Sequence, residues 1–198
     1  MLRVASLIVA FVAACSAPNT SLAKDPVPEP PKHPYVEIDT TMGRILLELD
    51  GQAAPYTVDH FLTLVDSGYY NNTIFHRVIP DFMIQAGGHT PDLKRKEDDG
   101  YVINESGNGL SNLRGTIALA RTAKPHTANA QFFINVVDNI RLNAGKGRWG
   151  YTVFGFVIEG MDVVDAIAAV RTGPQGTFDK DVPLIPIVIK SMSRYTFE

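Results

Sequence analysis

Short apolar runs with strand-like alternation, separated by turn residues, recur along most of this 198-residue sequence. Only two stretches instead repeat their apolar residues at the spacing of an α-helix, and they lie far apart in the chain. The strand–helix–strand alternation that is typical of a parallel sheet is missing. The sequence therefore predicts a mainly β fold, an antiparallel barrel or sandwich. The predicted strands cover residues 36–40, 44–49, 74–78, 82–86, 116–120, 132–136, 153–158 and 187–192.

The first two strands and the first helix carry the clearest local signals. Residues 36–40 and 44–49 are expected to form a hairpin that turns through residues 41–43. Pro55 suits the first turn of a helix, and Gly68 suits its end. A second helix is predicted over residues 161–169. Four apolar residues share one face of the first helix: Val58, Phe61, Leu62 and Val65.

The N-terminus has the pattern of an export signal, predicted over residues 1–23. An apolar run over residues 4–14 follows Arg3 and is shorter than the ~18 residues expected of a membrane-spanning helix. Two endings of the signal remain open. Small residues at 21–23 fit ordinary cleavage, whereas the run that ends in Cys15 resembles a bacterial lipobox, in which Cys15 would be lipidated. Both endings predict a periplasmic or cell-envelope location, and the second adds a lipid anchor.

Residues 24–34 are rich in proline and predict an extended linker, so the globular domain is expected over residues 35–198. Because Cys15 is the only cysteine, this domain has no disulfide and no thiolate nucleophile. A formal charge of −3 does not favour nucleic acid as a partner. The histidines are scattered without the spacing of a metal site. Neither a metal nor a cofactor is predicted.

Residues 75–88 place the cation Arg77 in an apolar setting. A guanidinium stays charged and presents a rigid fork of N–H donors, so in apolar surroundings it must find an acceptor. A binding site takes that acceptor from its ligand, whereas a structural arginine pairs with a carboxylate elsewhere in the chain. The segment alone leaves both interpretations open. The apolar neighbours of Arg77 are Phe75, Val78, Ile79, Phe82, Met83 and Ile84, and Gln85 is the other directional donor.

Residues 131–135, with the sequence Gln-Phe-Phe-Ile-Asn, add two aromatic rings and amide groups, and Leu142 and Tyr151 follow. Together with residues 75–88 they predict an apolar pocket that has one arginine and a few amides at its rim. The pocket has no nucleophile and no obvious proton relay. Neighbours along a strand face opposite sides, so His76 is expected to be structural rather than a general base.

Three segments, residues 75–77, 82–88 and 131–135, resemble the cyclophilin-type peptidyl-prolyl cis-trans isomerases in content and in order. The resemblance covers about residues 36–193, and within the family the sequence resembles the bacterial periplasmic and cytosolic branch. It implies a closed eight-stranded antiparallel barrel that is capped by two α-helices. It also implies an enzyme that accelerates rotation about Xaa-Pro bonds in exported proteins, with proline-containing polypeptides as partners. Nothing in the sequence indicates more than a monomer.

Carried over residue by residue, the resemblance implies that Arg77 is the catalytic cation. Gln85 and Gln131 are implied to orient the peptide, and the backbone of Thr122 to meet the residue before proline. Five residues are implied to line the proline pocket: Phe82, Met83, Phe133, Leu142 and Tyr151.

The sequence departs from the family at Arg141, where animal cyclophilins carry a tryptophan and bacterial relatives usually another aromatic residue. Because an arginine replaces part of the pocket rim, we expect weak binding of cyclosporin. Two other functions stay open: a membrane-tethered module that holds proline-containing peptides with little turnover, and a structural lipoprotein of the envelope.

Overall fold

The computed structural model describes residues 33–97 and 100–197 of the chain. The predicted signal, Cys15 and residues 24–32 of the predicted linker lie outside these described residues. The fold is mainly β, with a strongly curled half-barrel sheet, two α-helices and a short 3₁₀-helix. Within the described part of the chain, no helix is long and apolar enough to cross a membrane.

Within residues 33–97 and 100–197, nine strands form the main sheet, and two more form a separate hairpin. The helices are α1 (Pro55–Asp66) and α2 (Met161–Ala168), and the 3₁₀-helix is Ile140–Leu142. The strands of the main sheet are β1 (Tyr35–Thr40), β2 (Gly43–Leu49), β3 (Thr73–Ile74), β4 (Arg77–Ile79), β5 (Met83–Ala86), β6 (Thr116–Leu119), β7 (Phe132–Asn135), β8 (Val153–Glu159) and β11 (Val188–Tyr195). The separate hairpin consists of β9 (Thr172–Gln175) and β10 (Phe178–Pro183).

The main sheet is antiparallel, in the order β3-β11-β1-β2-β8-β6-β7-β5-β4. The expected closed eight-stranded barrel is not confirmed, because the sheet has nine strands and no ladder joins β3 to β4 among the described residues. The single strand predicted over residues 74–78 is split because its partner changes along its length. The N–H of Phe75 donates to the carbonyl of Ile187, just before β11, at 3.0 Å, whereas Arg77 pairs with Gln85 of β5. Residues 75–76 therefore carry the chain from one end of the sheet to the other.

The predicted hairpin and first helix are confirmed. Strands β1 and β2 pair from Tyr35↔Glu48 to Thr40↔Gly43. Helix α1 begins at Pro55, and its predicted apolar face is buried. The Glu105 carboxylate accepts the N–H groups of Tyr56 and Thr57 at 3.3 and 2.8 Å, and so satisfies two donors that the first turn leaves free. Helix α2 ends one residue before the predicted boundary at 169.

Two apolar clusters lie on opposite faces of the sheet. The interior core is centred on Phe61, whose ring centroid lies 5.2, 5.7 and 5.0 Å from those of Tyr70, Phe132 and Phe154. The second cluster has buried Met83, Ala118, Phe133 and Val153 at its centre. Alternation along the strands separates the clusters, because neighbouring side chains point to opposite faces. The second cluster forms the floor of the site described below.

The β9–β10 hairpin and the 3₁₀-helix were not predicted from the sequence. Glycine, proline and charged residues interrupt apolar alternation over residues 172–183, so the segment lacks the usual strand signal. In the structure this hairpin packs against β4, the strand that carries Arg77. Long-range packing therefore places the hairpin next to the strand of the candidate site, and local sequence patterns do not predict this position.

Candidate active site

A cavity of about 120 Å³ lies on the face of the sheet that carries the second apolar cluster. It brings together Arg77, one amide and the five residues that were expected to line the proline pocket. The full lining is Arg77, Phe82, Met83, Gln85, Ala120, Arg121, Phe133, Leu142 and Tyr151.

The ladder β4-β5-β7 fixes the relative positions of these side chains. Arg77 of β4 stands opposite Gln85 of β5, and Gln85 stands opposite Phe133 of β7. Met83 lies two residues before Gln85 and so faces the same side of the sheet. Met83 and Phe133 are almost fully buried and form the apolar floor, while Gln85 and Arg77 stay partly exposed at its edge.

The Arg77 guanidinium is held on two of its three nitrogens. Nη1 donates to Oε1 of Gln85 at 3.4 Å, and Nε lies 3.8 Å from Oδ2 of Asp181 on β10. Nη2 has no hydrogen bond to any residue that the structure describes. Gln85 in turn donates from Nε2 to Oε1 of Gln131 at 2.8 Å, which fixes the orientation of both amides. The cation is therefore oriented and still has donor capacity for a ligand.

A second cavity, of about 260 Å³, adjoins the first and shares Gln85, Ala120 and Arg121 with it. The remaining two predicted residues, Thr122 and Gln131, line this second cavity rather than the first. The site is thus an apolar pocket continued by a more polar groove. The pocket can take an apolar group, and the groove can take the more polar chain attached to that group.

The backbone of Thr122 already has partners within the protein. Its N–H donates to Oγ1 of Thr127 at 3.1 Å, and its carbonyl accepts from Nη1 of Arg121 at 2.9 Å. A carbonyl oxygen has two lone pairs, so the one on Thr122 can accept a second hydrogen bond from a ligand.

Arg121 is the second cation of the cavity, but its donors are used within the chain. Nε and Nη2 donate to the carbonyls of Gly150 and Trp149 at 2.9 and 2.7 Å. Its guanidinium carbon lies 4.7 Å from the centroid of the Tyr151 ring, a cation–π contact. Tyr151 also meets Phe133 edge to face, with the centroids 5.6 Å apart. Arg121 therefore braces one wall of the pocket, whereas Arg77 is the cation available to a ligand.

A network of amides supports the opposite rim, where the 3₁₀-helix presents Leu142. Nδ2 of Asn139 donates to Oδ1 of Asn135 at 2.7 Å and to the carbonyl of Phe82 at 2.8 Å. The N–H of Leu142 donates to the carbonyl of Asn139 at 2.8 Å. Arg141 is exposed, lies in a neighbouring depression with Phe82 and Leu142, and does not line the 120 Å³ cavity.

His76 faces away from the cavity, as expected from strand alternation. It is 3% exposed, and its ring lies 4.4 Å from that of His89 and 6.1 Å from that of Phe178. Burial, with a smaller contribution from His89, lowers the pKa of His76 from 6.5 to about 3. The imidazole is therefore neutral near pH 7 and has a structural role.

Ala120 and Asp181 contact the site although the sequence did not single them out. Ala120 is the last residue of the strand predicted over residues 116–120 and directly follows the observed β6, and the neighbouring Arg121 is a signal that could have drawn attention to it. Asp181 has no comparable signal, because only the hairpin brings it to Arg77. In the described residues, no three His, Cys, Asp or Glu side chains are grouped in a way that could hold a metal ion.

Comparisons with known proteins agree with this geometry. Residues 35–194 match the family described as cyclophilin type peptidyl-prolyl cis-trans isomerase/CLD. The chain is 55% identical over 159 residues to peptidyl-prolyl cis-trans isomerase cyp18 of Streptomyces antibioticus, a match that covers 79% of this chain and 95% of that protein. It is 50% identical over 161 residues to peptidyl-prolyl cis-trans isomerase B of Escherichia coli K12, covering 80% of this chain and 98% of that protein.

A solved structure is similar as well. The crystal structure of a cyclophilin-type peptidyl-prolyl cis-trans isomerase from Cryptosporidium parvum matches with a TM-score of 0.68 and 28% identity, covering 84% of this chain and 99% of that one. Fold, motif order and sequence identity over nearly the whole globular part point to one conclusion. This chain belongs to the cyclophilin-type peptidyl-prolyl cis-trans isomerases.

Proposed function

We propose that this enzyme accelerates Xaa-Pro rotation in exported proteins by a non-covalent mechanism in which Arg77 stabilises the twisted amide. The observation that carries the proposal is the position of Arg77. Its guanidinium lines the apolar cavity, is oriented through Nη1 and Nε, and has Nη2 left for a ligand. No serine, threonine, cysteine, lysine, histidine or carboxylate lines this cavity among the described residues, which favours catalysis by binding and electrostatics.

Rotation about a peptide bond must cross roughly 18–20 kcal/mol because resonance gives the C–N bond double-bond character. As the amide twists, the proline nitrogen loses that resonance and regains its lone pair. A donor aimed at this nitrogen or at the rotating carbonyl oxygen stabilises the transition state more than either planar isomer. Arg77 can supply such a donor without any covalent step.

The energies required are moderate. An acceleration of about 10⁵ needs only ~7 kcal/mol. One preorganised charged donor contributes about 3 kcal/mol if oxyanion-hole donors are a guide. The remainder is assigned to the apolar floor of Met83 and Phe133, which holds the proline ring and excludes water around the guanidinium.

Removal of the guanidinium tests this role. We expect Arg77→Ala to lower the turnover of a short Ala-Pro peptide by about 100-fold, because one such donor contributes roughly 3 kcal/mol to the transition state. Affinity for the peptide should change much less, since the apolar floor stays intact. NMR exchange spectroscopy measures the cis/trans rate at saturating enzyme, and a peptide titration followed by NMR measures affinity.

The matched control is Arg171→Ala, which removes an exposed arginine from a groove outside the site. It should leave turnover and affinity unchanged. Equal losses of turnover and affinity in Arg77→Ala would contradict the catalytic role. Peptide binding without accelerated exchange in the unaltered protein would favour the alternative, a tethered module that holds proline-containing peptides.

The export context is part of the same proposal. It is supported by the charged start and the apolar run before Cys15, by the proline-rich linker, and by a globular domain without cysteine. An enzyme attached to the envelope through such a linker would meet polypeptides as they emerge from export. We expect the isomerase domain to act on them as a monomer. Lipidation of Cys15 would hold it at the membrane surface.

A further inference from the structure

The β9–β10 hairpin packs against β4, the strand that carries Arg77, and the carboxylate of Asp181 on β10 faces the Arg77 guanidinium. Oδ2 of Asp181 lies 3.8 Å from Nε of Arg77. The Asp181 side chain is 20% exposed, less than half the 42% exposure of the Arg77 side chain. The carboxylate is therefore turned toward the arginine rather than toward solvent.

An irregularity in β10 places Asp181 in this position. The ladder with β9 shifts register between Phe178 and Val182, so β10 carries extra residues at a bulge. Asp181 has a φ of 67°, in the left-handed region, which aspartate and asparagine tolerate better than most residues. Asp179 and Lys180 in the same bulge are exposed. Bulges commonly re-aim one side chain, and here the re-aimed side chain is Asp181.

Phe178 attaches the hairpin to the strand that it supports. Its ring lies 6.1 Å from that of His76 and 5.1 Å from that of His89, and His76 directly precedes Arg77. His76 is buried and His89 is half-buried, so this contact fixes the hairpin against the base of the arginine side chain. The position of the Asp181 carboxylate relative to Arg77 is thus determined by packing, not only by the ion pair.

We infer that Asp181 is a positioning residue for Arg77. The Asp181 carboxylate attracts the Nε side of the guanidinium across 3.8 Å, while Oε1 of Gln85 accepts a hydrogen bond from Nη1 at 3.4 Å, and these two partners on different nitrogens restrict rotation of a rigid guanidinium. Nη2 is then directed to the ligand side. Asp181 does not line the cavity and acts only through Arg77. The inference rests on the proposed function, in which Arg77 is the donor to the twisted amide.

The test replaces the carboxylate with its neutral isostere, Asp181→Asn, which keeps the side-chain shape and tolerates the left-handed backbone. We expect turnover of an Ala-Pro peptide to fall by about two- to fivefold, the range for loss of a partly exposed ion pair, while peptide affinity stays within about twofold. The chemical shift of the Arg77 Nε–H signal in the NMR spectrum should change, because a charged carboxylate 3.8 Å away is replaced by a neutral amide. The signal is assigned by its disappearance in Arg77→Lys.

The matched control is Asp179→Asn, which makes the same change of charge two residues away on an exposed part of the same strand. It should leave turnover, affinity and the Arg77 signal unchanged. The inference is overturned if Asp181→Asn behaves as Asp179→Asn does, or if it loses affinity and turnover equally. Full turnover in Arg77→Ala would instead defeat the proposed function, whereas the Nε–H signal reports on the Asp181 contact without any turnover.

Discussion

The amide network under the pocket rim makes a testable link between the fold and peptide binding. Asn135 is fully buried and lies at its centre. Its Nδ2 donates to Oγ1 of Thr116 at 2.9 Å and to Oδ1 of Asn112 at 3.3 Å, and its Oδ1 accepts from Nδ2 of Asn139 at 2.7 Å. We predict that Asn135→Ala destabilises the protein and loosens the rim that carries Leu142.

The size of the effect follows from which partners keep a hydrogen bond. Asn139 still donates to the carbonyl of Phe82 at 2.8 Å, and the hydroxyl of Thr116 still donates to Leu113 at 2.8 Å. Oδ1 of Asn112, in a residue that is fully buried, loses its donor. One buried group without a partner costs about 1–3 kcal/mol of the free energy of unfolding. Because the Asn139 side chain is held by one hydrogen bond instead of two, we expect peptide affinity to weaken by about three- to tenfold.

Urea unfolding followed by far-UV circular dichroism measures the loss of stability, and a peptide titration followed by NMR measures the loss of affinity. The control is Gln52→Ala, which removes an exposed amide and should change the free energy of unfolding by less than about 0.5 kcal/mol. A loss below that value in Asn135→Ala would refute the energetic argument. A destabilised variant with unchanged peptide affinity would refute the link between the network and the rim.

Three further predictions concern pH, cyclosporin and the N-terminus. The folded protein holds His76 neutral with a pKa of about 3, so as pH falls below 6.5 the unfolded chain binds a proton at this residue before the folded protein does. The free energy of unfolding should therefore decrease from about pH 6.5 toward 3, by up to ~1.4 kcal/mol per pH unit. His76→Gln should flatten that slope, which urea titrations at several pH values measure. Cyclosporin should bind weakly because Arg141 stands at the usual aromatic position, and calorimetry that gave an affinity like that of animal cyclophilins would contradict this. If Cys15 is lipidated, the protein produced in a bacterial host should sediment with membranes and carry acyl mass, and Cys15→Ser should abolish both; an unacylated mature chain beginning at Lys24 would favour ordinary signal cleavage.

Local sequence patterns determined much of the fold. The β1–β2 hairpin and α1 appear within a residue or two of their predicted bounds, because turn residues, Pro55 and apolar spacing act over a few neighbouring residues. Alternation also separated His76 from Arg77 correctly, since it depends only on the two-residue repeat of a strand. The segments 75–88 and 131–135 supply Arg77, Phe82, Met83, Gln85 and Phe133 of the cavity, because these residues belong to recognisable motifs. Leu142 and Tyr151 were also predicted, whereas Ala120 was not.

Only the tertiary structure decided which groups meet across long stretches of chain. The strand predicted over residues 74–78 became β3 and β4 because its first half bonds to β11 and its second half to β5, and sequence alternation cannot choose between partners. Arg121 and Arg77 are the same residue type and line the same cavity, yet backbone carbonyls of residues 149 and 150 accept hydrogen bonds from Arg121, whereas Nη2 of Arg77 has no hydrogen bond among the described residues. Asp181 reaches Arg77 through a bulge in a hairpin without strand propensity. Sequence therefore determined the local elements and the residue types of the pocket, whereas long-range packing determined the partners and orientations of the side chains in it.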